Sequence, residues 1–133
     1  MKWFKKRRRL NSLKRILKVI EKDAEIQFKY VNDEGETCII GGMAKEVGIK
    51  LEAPIYYTHP QSPDFGVTHL GISSKEDNKI LIGLRNQLLR KYPQISLKEL
   101  RELQRINDAF SDRQNRKDAL TDQVNEWIES IND

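Results

Sequence analysis

Leu10, Leu13, Ile16, Leu17 and Ile20 recur at the spacing of one helical face, which predicts a helix from about Leu10 to Lys22 with Asn11 or Ser12 as its cap. Ile26, Phe28 and Tyr30 then alternate with Glu25, Gln27 and Lys29, the period of a half-buried strand. Asn32-Asp33-Glu34-Gly35 supplies turn chemistry, and Thr37 to Ile40 returns as a second strand. The pattern therefore predicts a β-hairpin over 25–40, closed by Gly41-Gly42. Met43 to Val47 reads as one or two helical turns, with Gly48 suited to a left-handed C-cap. Further short strands are expected near 49–58, where Pro54 marks an edge, and near 67–73. The prolines and glycine of 59–66 require a loop between them.

The C-terminal half is helical in pattern. Ser73, Ser74 or Asp77 caps a helix that buries Leu84, Leu88 and Leu89 and stops before Pro93. Ser96-Leu97-Lys98-Glu99 is a capping box ahead of Leu100, Leu103, Ile106 and Phe110. Ser111-Asp112-Arg113-Gln114 resembles a second box, opening a last helix with Leu120, Val124, Trp127, Ile128 and Ile131 apolar. One helix over 96–131 is the alternative, but the polar gap from Ser111 to Asp118 favours a break. The expected fold is α+β: a small antiparallel sheet packed with an N-terminal helix and two to three C-terminal helices.

A length of 133 residues suits one domain. With 38% hydrophobic residues the chain has the material for a core. No apolar run is long enough to cross a membrane. The N-terminus starts like a signal peptide, but Asn11, Lys14, Arg15 and Lys18 interrupt its apolar segment, and Cys38 has no partner for a disulfide. A cytoplasmic location is expected.

Charge alters this picture through its distribution. The net charge of +4 divides into +9 over residues 1–22, −5 over 23–74, +5 over 75–117 and −5 over 118–133. Lys5, Lys6, Arg7, Arg8 and Arg9 repel one another, so residues 1–9 are expected as a flexible basic arm on a single domain of 10–133. Such a run meets the phosphates of DNA or RNA by counterion release, and Trp3 beside it could stack on a base. An anionic membrane surface would satisfy the same charges, and a solvated tail needs no partner. At about 100° per residue, Lys98, Arg101 and Arg105 fall opposite the apolar face of their helix and form a basic stripe. This stripe is either a second phosphate contact or an ordinary solvated face.

Other chemistry is thin. Ala44, Gly48 and Ile49 fit the first helix and turn of a helix-turn-helix, but Pro54 falls inside the recognition helix that should follow. His59, His69, Asp64 and Cys38 lack the close ligand pairing of a zinc site, so no metal or cofactor is expected. No nucleophile with a base and an orienting group stands at suitable spacing, and catalytic residues are expected to be absent. The reading from sequence is a small non-enzymatic accessory protein on a DNA or RNA backbone. Its rival is a protein-interaction module, an inhibitor or adaptor of the kind phages and mobile elements encode. That module would use the acidic 23–74 region or the last helix, where Trp127 and Ile131 are candidate contacts for a protein partner or a homodimer seam.

Overall fold

From Ile39 onward the apolar residues are consecutive, a run compatible with either a buried strand or a buried helix. In the computed structural model, which describes residues 2–51 and 74–131, the run is a helix, α2 (Ile39–Glu46). Cys38 stands at its N-cap, where Sγ accepts from the Gly41 amide at 3.4 Å. Ile39 to Ala44 are all buried, as a helix enclosed by others requires. Around α2 lie α1 (Trp3–Lys22), α3 (Ser74–Lys91), α4 (Leu97–Ala109) and α5 (Arg113–Ser130). α1 packs on α2 and α5, α4 packs on the same two helices, and α3 packs on α2. α1 and α4 are thus diagonal partners. Leu13, Ile16 and Ile20 from one side and Leu100 and Leu103 from the other enter one core with Met43.

The α+β expectation is overturned. Among the described residues there is no strand, and the hairpin expected over 25–40 is a strap that crosses the helices. Its one β feature is an isolated antiparallel bridge, Val31 to Thr37, around a turn in which Asn32 Oδ1 accepts from the Glu34 and Glu36 amides. Ala24 and Phe28 carry positive φ angles of 60° and 66°, which break the extended path that the Ile26-Phe28-Tyr30 alternation implied. The strap's backbone bonds to itself at Glu25 N to Thr37 O, Asn32 N to Glu36 O and Cys38 N to Tyr30 O, and elsewhere uses side chains of α4 and α5. Asn107 Nδ2 donates to the Ile26 carbonyl at 2.9 Å, and its Oδ1 accepts from Ile39 N at 3.0 Å. Asp108 Oδ1 accepts from Phe28 N, and the buried Arg116 donates to the Ala24 carbonyl.

Close approach depends on two glycines. A Cβ on Gly41 would fall on the Tyr30 carbonyl, and one on Gly42 would lie 2.6 Å from Asp23 Cβ and 2.8 Å from Val19 Cγ1. α2 therefore touches both strap and α1 at backbone distance.

Several boundaries agree with the pattern. The Ser96–Glu99 capping box is present on both of its bonds, α3 ends at Lys91 ahead of Pro93, and Gly48 has φ +80°. The chain breaks after Ala109, and Asp112 caps α5 by accepting from the Asn115 amide. α1, by contrast, starts at Trp3 and not near Leu10. Of the two further strands expected, residues 49–51 have no regular structure, and 52–58 and 67–73 lie outside the described residues.

Candidate nucleic-acid interface

Because α1 begins at Trp3, the basic run is part of a helical surface. Ser12, Leu13, Ile16, Val19 and Ile20 are buried and define the inward side. At about 100° per residue, Arg7, Lys14 and Lys18 lie within roughly 20° of the opposite side, and Trp3, Asn11, Glu21 and Lys22 within roughly 60°. All seven are exposed. Arg7 to Lys22 extends over about 22 Å of helix at about 1.5 Å per residue. Lys14, Lys18 and Lys22 make no ion pair among the described residues, and Glu21 is the only acid on the helix.

The other cations of α1 are used differently. Arg9 makes a bidentate pair with Glu99, at 2.9 and 2.6 Å, and donates to the Gln94 carbonyl at 3.0 Å. The pair is largely shielded, with side chains 13% and 17% exposed. Burial opposes ionisation of Glu99, but the Arg9 guanidinium and the Ser96 amide hold its pKa below the usual value. Arg15 pairs with Glu46 and lies 4.5 Å over the Tyr92 ring. Lys5 and Arg8 are exposed and Lys6 is half-buried. The first turn holds no acidic residue and no side-chain cap, so Lys5, Lys6 and their neighbours crowd the positive end of the helix dipole. Repulsion among them and with the dipole is relieved when an anion binds.

The second predicted stripe stands elsewhere. Lys98, Arg101 and Arg105 are exposed on α4, opposite the buried Leu100, Leu103 and Asn107. Arg105 is already bonded to Glu102, which lowers the stripe's charge. The Arg9–Glu99 pair brings the first turns of α1 to the first turn of α4. Even so, diagonal helices that bury their apolar sides toward a common core turn their outward sides away from each other. One straight polyanion cannot lie along both stripes.

Trp127 and Ile131 lie on the inward side of α5, half-buried against the core. The outward side of α5 carries Asp118, Asp122, Glu126 and Glu129, all exposed. A cleft of about 510 Å³ between α1 and α2 is lined by Arg15, Lys18, Lys22, Asp23, Lys45 and Glu46, and the Arg15–Glu46 and Lys45–Asp23 pairs occupy its walls. Among the described residues no His, Cys, Asp or Glu cluster could hold a metal. His59, Asp64 and His69 lie outside the described residues. Burial pushes the Cys38 thiol up to about 12, leaving it protonated. None of the described helices is long and apolar enough to cross a membrane.

Set against protein-family models, curated proteins and solved structures, the chain matches none.

Sequence reasoning passed over Lys14, Lys18 and Lys22. The signal was available: the helical projection applied to Lys98, Arg101 and Arg105 places these lysines in line with Arg7 once α1 is continued to Trp3.

Proposed function

We propose that this is a non-enzymatic, nucleic-acid-binding protein of the cytoplasm, which lays the outward side of α1 along a phosphate backbone. One observation carries the reading: Arg7, Lys14, Lys18 and Lys22 form an exposed cationic line of about 22 Å on a rigid helix. Over that length one strand of duplex presents roughly six phosphates, at about 3.4 Å per residue of strand. A line of charge matches a linear polyanion better than it matches a lipid surface. Peripheral membrane helices bury an apolar side in the bilayer, whereas α1 spends its own on the protein core. The side chains read phosphate and present no base-reading set, so binding is expected to be indifferent to sequence. The α4 stripe is a weaker, separate contact. The interaction-module reading gains nothing from Trp127 and Ile131, which face inward.

Fluorescence anisotropy on unrelated DNA and RNA duplexes across a salt series tests the reading. Affinity should fall with salt at a slope of about −0.9 for each phosphate engaged. The double substitution Lys14→Gln, Lys18→Gln should make that slope shallower by about 1.8 on every duplex. No binding at low salt, or an unchanged slope in the variant, overturns the proposal.

A further inference from the structure

Trp3 and Phe4 occupy adjacent positions in the first turn of α1, 71% and 47% exposed. Each ring has an arginine one turn later lying over it. The Arg7 guanidinium carbon is 5.5 Å from the Trp3 centroid, and that of Arg8 is 5.6 Å from the Phe4 centroid. Cation–π contact holds the two rings in place without burying them. They lie beyond the level at which Arg9 fastens α1 to α4, so they add nothing to the core.

We propose that Trp3 and Phe4 form a stacking platform for unpaired nucleobases, which makes single-stranded nucleic acid the favoured ligand. The inference rests on the phosphate-backbone reading of α1 and adds to it which form of nucleic acid is bound. In a blunt duplex the base faces are covered by their neighbours, so a duplex offers α1 only its phosphates. A single strand offers both: bases with open faces for the rings, and phosphates for Lys5, Arg7 and Arg8 beside them. The charges in this turn say why a nucleic acid fits and an apolar partner does not. Lys5, Arg7 and Arg8 are exposed in the same stretch as the two rings, and a hydrophobic partner would have to desolvate them without compensation. A membrane could accept the rings, but the exposed residues from Arg7 to Lys22 are all polar or charged, so the helix would bring no apolar side chain beyond the rings to insert.

The test uses the full chain, labelled probes across a salt series and three ligands: a short mixed-sequence DNA strand, the same strand in a blunt duplex, and phosphatidylglycerol vesicles. The wild-type protein should prefer the single strand. Trp3→Ala, Phe4→Ala should lose about tenfold per ring on the strand while keeping its duplex affinity and its salt slope. Trp3 emission should be quenched by the strand, with no such quenching in Trp3→Leu, where Trp127 is the only reporter. Equal losses on strand and duplex, or no strand preference in the wild type, overturn the platform and leave the phosphate reading standing. Binding to vesicles but to neither nucleic acid overturns both and assigns the rings to a membrane. Failure to bind any probe at low salt also overturns both.

Discussion

Arg9 marks the division between the cations that the fold uses and the exposed ones proposed to meet phosphate, and Arg9→Met tests that division. Exposed ion pairs contribute about 0.2–1 kcal/mol, and breaking a buried one costs about 3–5 kcal/mol. The Arg9–Glu99 pair lies between these limits: its geometry is bidentate, it is 13% and 17% exposed, and Arg9 holds the Gln94 carbonyl as well. Arg9→Met should therefore cost about 2 kcal/mol. For a domain of this size that lowers Tm by roughly 6–10 °C in a calorimetric or CD melt. The pH dependence follows from Glu99. Its folded-state pKa is depressed below the ordinary 4.5, so its contribution is complete above that value and is lost as pH falls through the folded-state value. In Arg9→Met the carboxylate keeps its burial but loses its cation, so the cost should be largest near neutrality and shrink in acid to what the Gln94 bond contributes. On nucleic acid the variant should keep the wild-type slope against log salt, because Arg9 is committed to Glu99, whereas Arg7→Gln should lose about 0.9. A variant as stable as wild type at neutral pH, or one whose slope falls like that of Arg7→Gln, would refute the division.

Asn107→Ala should orphan the buried Ile39 amide and Ile26 carbonyl together, costing about 3 kcal/mol in urea unfolding; a cost near zero would mean that the strap is not held by Asn107. Gly41→Ala should destabilise despite an intrinsic helical gain of about 1 kcal/mol, because its Cβ meets the Tyr30 carbonyl; a stabilised variant would show that strap and α2 can separate. Cys38 should resist alkylation in the folded protein at mildly alkaline pH and react once urea is added, since burial raises its pKa to about 12; fast labelling of the native state would contradict its burial.

The elements that could be read from the chain are those whose cause is local. Ser96 and Glu99 satisfy each other's amides within a few residues, Pro93 excludes helix by its own ring, and Leu13, Ile16 and Ile20 share a face by helical period alone. The candidate interface was legible in part for the same reason: charge and spacing are sequence properties, so the cations and their stripes could be located. Their use was not legible. Arg9 and Arg7 are equivalent in sequence, and only the arrival of Glu99 from ninety residues away makes one structural and leaves the other exposed.

By itself, the sequence determined the helical faces of α1, α4 and α5, the caps of α4 and α5 with the break between them, and the concentration of cations on α1. Tertiary structure alone decided the fate of 25–40. The alternation there and the β-branched Ile39 and Ile40 satisfy strand rules locally. A strand, however, needs a neighbour along its whole backbone, and here only a few backbone bonds close the strap on itself while Asn107, Asp108 and Arg116 take groups on Ile26, Phe28 and Ala24. With those bonds made by side chains and Ile39 to Ala44 enclosed by helices, burial favours helix over sheet. Tertiary structure likewise set α1 and α4 on a diagonal, turning two basic stripes that the helical projection finds separately toward different solvent. Local preference chooses among backbone states that differ by about 1 kcal/mol per residue or less, and the packing of a core outweighs it.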